Sequence, residues 1–171
     1  GGGGAGGRGQ EGRAGEVWWS EPGFPPLVVG GVTSPRVRRR LGEGLGVRVV
    51  GVSPPPGARP LRAEGLPDFV AGSPVGVGLL VGDLRAGFLG TAALVREPEV
   101  FAFAHPVLFR GPTNLPFTDA VVFDTARSET FPFKVGDLGA VRGRVVQDRA
   151  AGVLARLDLA PDLVDLELTV T

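Results

Sequence analysis

The side chains here that could do acid–base or nucleophilic work are one imidazole, a few serines and scattered carboxylates. His105 is the single histidine and the one group that ionises near neutral pH without a large shift. It closes an apolar run at 100–104 and is followed by Pro106, which cannot donate to a β-ladder, so its ring is expected at a strand end. Taken alone, such a histidine is most simply structural. A serine nucleophile would need its hydroxyl within reach of that ring, with a carboxylate on the other ring nitrogen. The serines are Ser20, Ser34, Ser53, Ser73 and Ser128, and the first carboxylates downstream of His105 are Asp119 and Asp124. On spacing, Asp119, Asp124 and Ser128 are candidates that ordinary strand and loop roles explain equally well.

Gln147-Asp148-Arg149 is a polar triplet at a tight strand-to-strand turn. There an aspartate is expected to fix the turn by backbone hydrogen bonds and an ion pair with the arginine. Asp158, Asp162, Asp165 and Glu167 carry charge for a hard cation, but alternation puts Asp165 and Glu167 on a solvated strand face. The absence of cysteine removes disulfides, a thiol nucleophile and thiolate metal sites, and one histidine removes the usual zinc site. Neither metal nor cofactor is expected. Eighteen basic residues balance eighteen acidic ones, which gives no general attraction to nucleic acid or an anionic membrane. Arg38 to Arg40 reads as a solvated helix face without the interleaved aromatics of a nucleic-acid site. No apolar run approaches the roughly 18 residues of a spanning helix, and the given chain shows no signal-peptide pattern.

These residues need elements to position them. Residues 1–26 have no hydrophobic period and seven glycines among the first nine positions, and are expected to form a flexible tail carrying Trp18 and Trp19. Gly1, Gly3 and Gly6 match a dinucleotide fingerprint formally, without the strand and helix it requires. Residues 27–32 and 47–52 are apolar strand candidates. Between them, Ser34 suits an N-cap, Pro35 the first helical position, and Gly46 a left-handed stop. Val37, Leu41 and Leu45 recur at four-residue spacing, while Gly42 and Gly44 each weaken the helix by about 1 kcal/mol relative to alanine. The result is a small β-α-β unit at 27–52, followed by a proline-rich linker at 53–73.

From 74 to 171 the sequence reads as β almost throughout. A hairpin at 75–94 with a Gly82-Asp83 turn is followed by strands at 100–105, 119–125, 131–135, 140–147, 151–158 and 163–170, the spacing of an antiparallel barrel or sandwich. Glycine and proline fill about a quarter of the chain, a level at which disorder must be considered. The 43% hydrophobic content argues instead for a packed domain with tails and turns. Isoleucine, methionine and tyrosine are missing, with one lysine against seventeen arginines, the codon bias of a GC-rich genome. The missing methionine predicts a processed or truncated piece.

Residues 72–95, 101–122, 131–153 and 155–157 resemble the SpoIVB-type serine peptidase family, and 25–41 is similar to the segment preceding this domain in larger members. The resemblance is carried by histidine-proline after an aromatic strand (His105-Pro106), the turn Gly111-Pro112-Thr113-Asn114-Leu115-Pro116, and Gln147-Asp148-Arg149. It implies a chymotrypsin-like half-barrel, a triad in the order His, Asp, Ser, export from a bacterial cell, a protein or peptide substrate, and His105 as general base. The family's Gly-x-Ser-Gly-Ser-Pro nucleophile motif does not occur before Thr171, and no residue matches the triad aspartate. Ala104, Asn114 and Pro132 stand where the family usually has glycine, aspartate and serine. Two readings follow: part of a SpoIVB-like endopeptidase, or a non-catalytic β-fold binding or structural module of the cell envelope.

Overall fold

The apolar tetrapeptide Leu27–Gly30 forms strand β1, and it alternates between two buried environments. Leu27 and Val29 pack into one core, while Val28 packs into another on the opposite face. A strand covered on both sides reads as a continuous apolar run, as buried parallel strands do. Its partner β2 (Val49–Val52) is indeed parallel, with Leu27 opposite Val49. Helix α1 (Pro35–Leu45) makes the crossover. Ser34 caps it by accepting from the Val37 amide at 3.5 Å, and Gly46 ends it at φ 65°. The computed structural model describes residues 26–53, 66–126 and 133–167. The tail with Trp18 and Trp19, Ser20, linker residues 54–65, Ser128, Pro132 and the last four residues lie outside these.

Among the described residues the fold is mostly β, with one short helix and a closed six-stranded antiparallel barrel. Strands β3 (Pro74–Leu80), β4 (Arg85–Arg96), β5 (Glu99–Ala102), β6 (Gly111–Ala126), β7 (Phe133–Arg149) and β8 (Gly152–Arg156) build it. Their order is β4-β3-β6-β7-β8-β5, and β5 returns to β4 to close the ring. Val75, Val77, Phe88, Val100, Phe117 and Val145 fill the interior, each at most 1% exposed. β4 is long enough for one edge to serve twice: residues 85–87 pair with β1 and residues 92–96 with β5. The β-α-β unit is thus continuous with the barrel sheet, and the linker separates them in sequence without a break between sheets.

β6 and β7 are sixteen and seventeen residues long, and repeated register shifts bend them. Their inner halves belong to the barrel, and their outer halves form an arm over β1, β2 and β4. Ala120 and Leu138 of the arm meet Val28, Val52 and Leu89 in the second core. Gly76 permits this approach, since a Cβ there would run into Leu138 and Thr118. The Arg85 fork holds Asp137 of the arm (Nε to Oδ1 2.9 Å, Nη2 to Oδ2 2.6 Å), Lys134 donates to the Gly90 carbonyl, and Arg48 lies 4.1 Å over the Phe133 ring.

Several sequence expectations change. The described part of the first of two expected strands, 133–135, and the second, 140–147, belong to one strand, β7, and the Gly111–Pro116 turn is the start of β6. The Gly82-Asp83 turn is a four-residue loop, 81–84. Residues 163–167, expected to begin a final strand, are not in a sheet, and Val164 is 94% exposed. Closure of the barrel leaves no edge beside β8, the strand just before it; the open edge among the described strands is at β2. The chain before it is clasped by Asn114, whose side chain donates to the Asp162 carbonyl and accepts from the Asp162 amide, both at 3.1 Å.

Candidate functional site

At the end of β5 the backbone leaves the sheet through two consecutive non-glycine residues in the left-handed region, Phe103 (φ 74°) and Ala104 (φ 56°). Such conformations persist only where surrounding structure enforces them. Here the Phe103 ring is buried against Gly90, where a Cβ would come within 2.7 Å of it, and the Phe103 amide donates to the Thr91 carbonyl at 3.0 Å. His105 follows, half-buried, with its ring edge-on to Phe103 at 5.7 Å. The strand expected to run to His105 stops at Ala102, so the ring lies three residues past the strand end, in the bend that Phe103 and Ala104 begin.

The His105 Nδ1 lies 2.9 Å from the Pro106 carbonyl oxygen. A carbonyl only accepts, so Nδ1 donates, and the neutral ring so bonded carries its basic lone pair on Nε2. That tautomer can accept a proton from an attacking hydroxyl or deliver one to a leaving group.

The loop that presents His105 is held by Asp148 of the neighbouring strand β7. Its carboxylate, 1% exposed, accepts from the amides of Val107 (2.8 Å), Leu108 (2.7 Å) and Arg110 (3.3 Å). A buried carboxylate is stable when several amides satisfy it. Gly111 and Pro112 then start β6 directly opposite Asp148 and Gln147. The expected role of Asp148 is corrected in both parts. It holds a loop some forty residues earlier in the chain and not its own turn, and Arg149 turns away to donate to the Gln147 side chain at 2.9 Å. His105-Pro106, Gly111-Pro112 and Gln147-Asp148-Arg149 therefore meet at one end of the barrel.

The other candidates are occupied elsewhere. Asp119 accepts from the Arg142 guanidinium at 3.2 and 3.3 Å. Arg142 in turn stacks 4.8 Å over Phe69 and donates to the Pro67 carbonyl. Burial raises the Asp119 carboxyl above its ordinary value, outweighing the downward pull of Arg142. Asp124 is exposed and caps the Thr125 amide at 2.7 Å. Ser34 is the helix cap and Ser73 accepts from the Val70 amide at 3.0 Å. Among the described residues no three histidine, cysteine or carboxylate side chains cluster as a metal would require. In the acidic stretch, Asp158 pairs with Arg156 and Asp162 lies 3.9 Å from Arg144.

Sequence reasoning missed two devices here, the reach of Asp148 and the Arg85–Asp137 fork. The sequence carries no signal for the first, because alternation from Val145 points Asp148 outward. Compared with known proteins, the chain matches no family model, no curated protein and no solved structure.

Proposed function

We propose that the chain is a SpoIVB-like serine endopeptidase domain with His105 as its general base, acting outside the cytoplasm of a bacterial cell on a protein or peptide. One observation supports this most: Gln147-Asp148-Arg149, some forty residues downstream, meets the 105–116 segment that carries the other two motifs, with Asp148 holding the amides of Val107, Leu108 and Arg110 and standing opposite Gly111. The left-handed Ala104 adds to it, since this is the position where the family usually has glycine, the residue that adopts that conformation without strain. In the proposed reaction Nε2 of His105 takes the proton of a serine hydroxyl as its oxygen bonds the peptide carbonyl carbon. It then gives that proton to the departing amine, and water repeats the cycle on the acyl-enzyme. Asp148 acts as a positioning residue for the loop. No cofactor enters this chemistry.

A specific observation favours a second reading, a non-catalytic binding or structural module of the envelope. Nδ1 of His105, the nitrogen a triad carboxylate would hold, bonds the Pro106 carbonyl, while Asp119 and Asp124 are tied elsewhere. Fluorophosphonate labelling of the full-length protein separates the two. Labelling of the wild type, lost in His105→Ala with the fold retained, is the result expected of the peptidase. A folded wild type that takes no label overturns it in favour of the binding module.

A further inference from the structure

Helix α1 buries none of its side chains. At about 100° per residue, Val37, Leu41 and Leu45 follow one another along a single flank, and they are 45%, 36% and 55% exposed. The side of the helix against the sheet is made instead by Arg38, which lies over Gly51, and by Gly42, whose missing side chain leaves room for the Val47 carbonyl. The expected amphipathic helix is present, but its apolar flank faces solvent.

The charge on the rest of the exposed helix surface is one-sided. Arg36, Arg39 and Arg40 are exposed, and the helix carries one acid, Glu43, which is 3.8 Å from Arg39. The loop that meets the chain leaving β1 adds Leu84, 38% exposed and packed at Gly31, and Asp83, which faces Arg85. An arginine-rich helix with a modest apolar flank suits the boundary between lipid headgroups and acyl chains. The apolar side chains enter the acyl layer while guanidinium forks take phosphate oxygens bidentately. The zero net charge of the chain hides this local asymmetry.

We propose that α1 is a peripheral attachment site for an anionic membrane surface, with Val37, Leu41 and Leu45 entering the acyl boundary and Arg36, Arg39 and Arg40 holding lipid phosphates. The proposal is independent of the peptidase reading. Co-sedimentation of the full chain with phosphatidylglycerol–phosphatidylcholine vesicles tests it, with phosphatidylcholine vesicles alone as reference. Binding to the anionic vesicles alone, weakened by added salt, is expected. Replacing the three arginines together by glutamine should weaken it about a hundred-fold, on the order of five-fold for each charge near the surface. Leu41→Asp should abolish it with an unchanged melting temperature, because the side chain contributes nothing to either core. No binding to anionic vesicles, equal binding to both kinds, or an undiminished triple variant would overturn the proposal. So would capture of polyglutamate in place of vesicles, which would assign the helix to an acidic protein partner.

Discussion

Replacing Asp148 by alanine removes an acceptor that three backbone amides share. The Val107 amide is wholly buried, and a buried donor left unpaired costs about 1–3 kcal/mol. The Leu108 amide is half-buried and loses roughly half as much, since water reaches it in part. Arg110 is exposed and its bond is long, so water replaces the carboxylate there at little cost. The expected loss is therefore about 2–4 kcal/mol. At about 2–4 °C per kcal/mol for a chain of this length, the melting temperature should fall by on the order of 10 °C. Asp148→Asn keeps one oxygen for Val107 but turns an NH2 toward the second pair of amides, so its loss should be roughly half that of alanine.

Urea and thermal unfolding followed by circular dichroism measure both values. Hydrogen exchange at Val107 and Leu108 places the effect in the loop. Arg149→Ala is the necessary control. Its guanidinium bonds Gln147 on the surface, so its loss should stay below about 0.5 kcal/mol. An Asp148→Ala protein within about 0.5 kcal/mol of wild type, or an equal loss from Arg149→Ala, would refute the clamp and restore the simple turn-fixing ion pair.

Arg85→Lys should cost about 1–2 kcal/mol in urea unfolding, because an ammonium cannot reproduce the two-point fork on Asp137; an unperturbed lysine variant would show that the arm is held by its apolar contacts alone. The Asp119 carboxyl is raised above the ordinary 3.8, mainly by burial, so the native protein holds that proton more readily than the unfolded chain. Its contribution to stability is complete below 3.8 and lost as pH rises through the raised value. Asp119→Asn should flatten that stretch of the stability–pH curve, and an unchanged slope would contradict the burial argument. Ala104→Gly should stabilise the protein by roughly 0.5 kcal/mol, as relief of left-handed alanine strain exceeds the added chain entropy; a lower melting temperature would mean that the alanine methyl packs more than it strains.

The features legible in the sequence are those set by neighbouring residues. Ser34, Pro35 and Gly46 mark the ends of α1 through local capping chemistry. The β3–β4 hairpin follows from two apolar runs around a glycine turn. That His105 lies near a strand end is legible too, although the ladder stops at Ala102, where Phe103 and Ala104 turn left-handed, and not at Pro106. What was not legible depends on register and closure. Alternation carried forward from buried Val145 would place Gln147 inside and Asp148 outside. A register shift between Val145 and Gln147 reverses this, and the aspartate enters the barrel where the 107–110 amides await it. Residues 163–167 fail in the opposite sense: they alternate as a strand should, but a closed barrel offers them no edge, and Asn114 fixes the chain just before them. The helix flank at Val37, Leu41 and Leu45 has helical spacing that ordinarily marks the buried side, but its neighbour decides otherwise. Arg38 occupies the space over Gly51, so the helix rests on its arginine stem and its leucines remain outside. In all three places the local pattern is intact, and the pairing partner, present or missing, determines what it does.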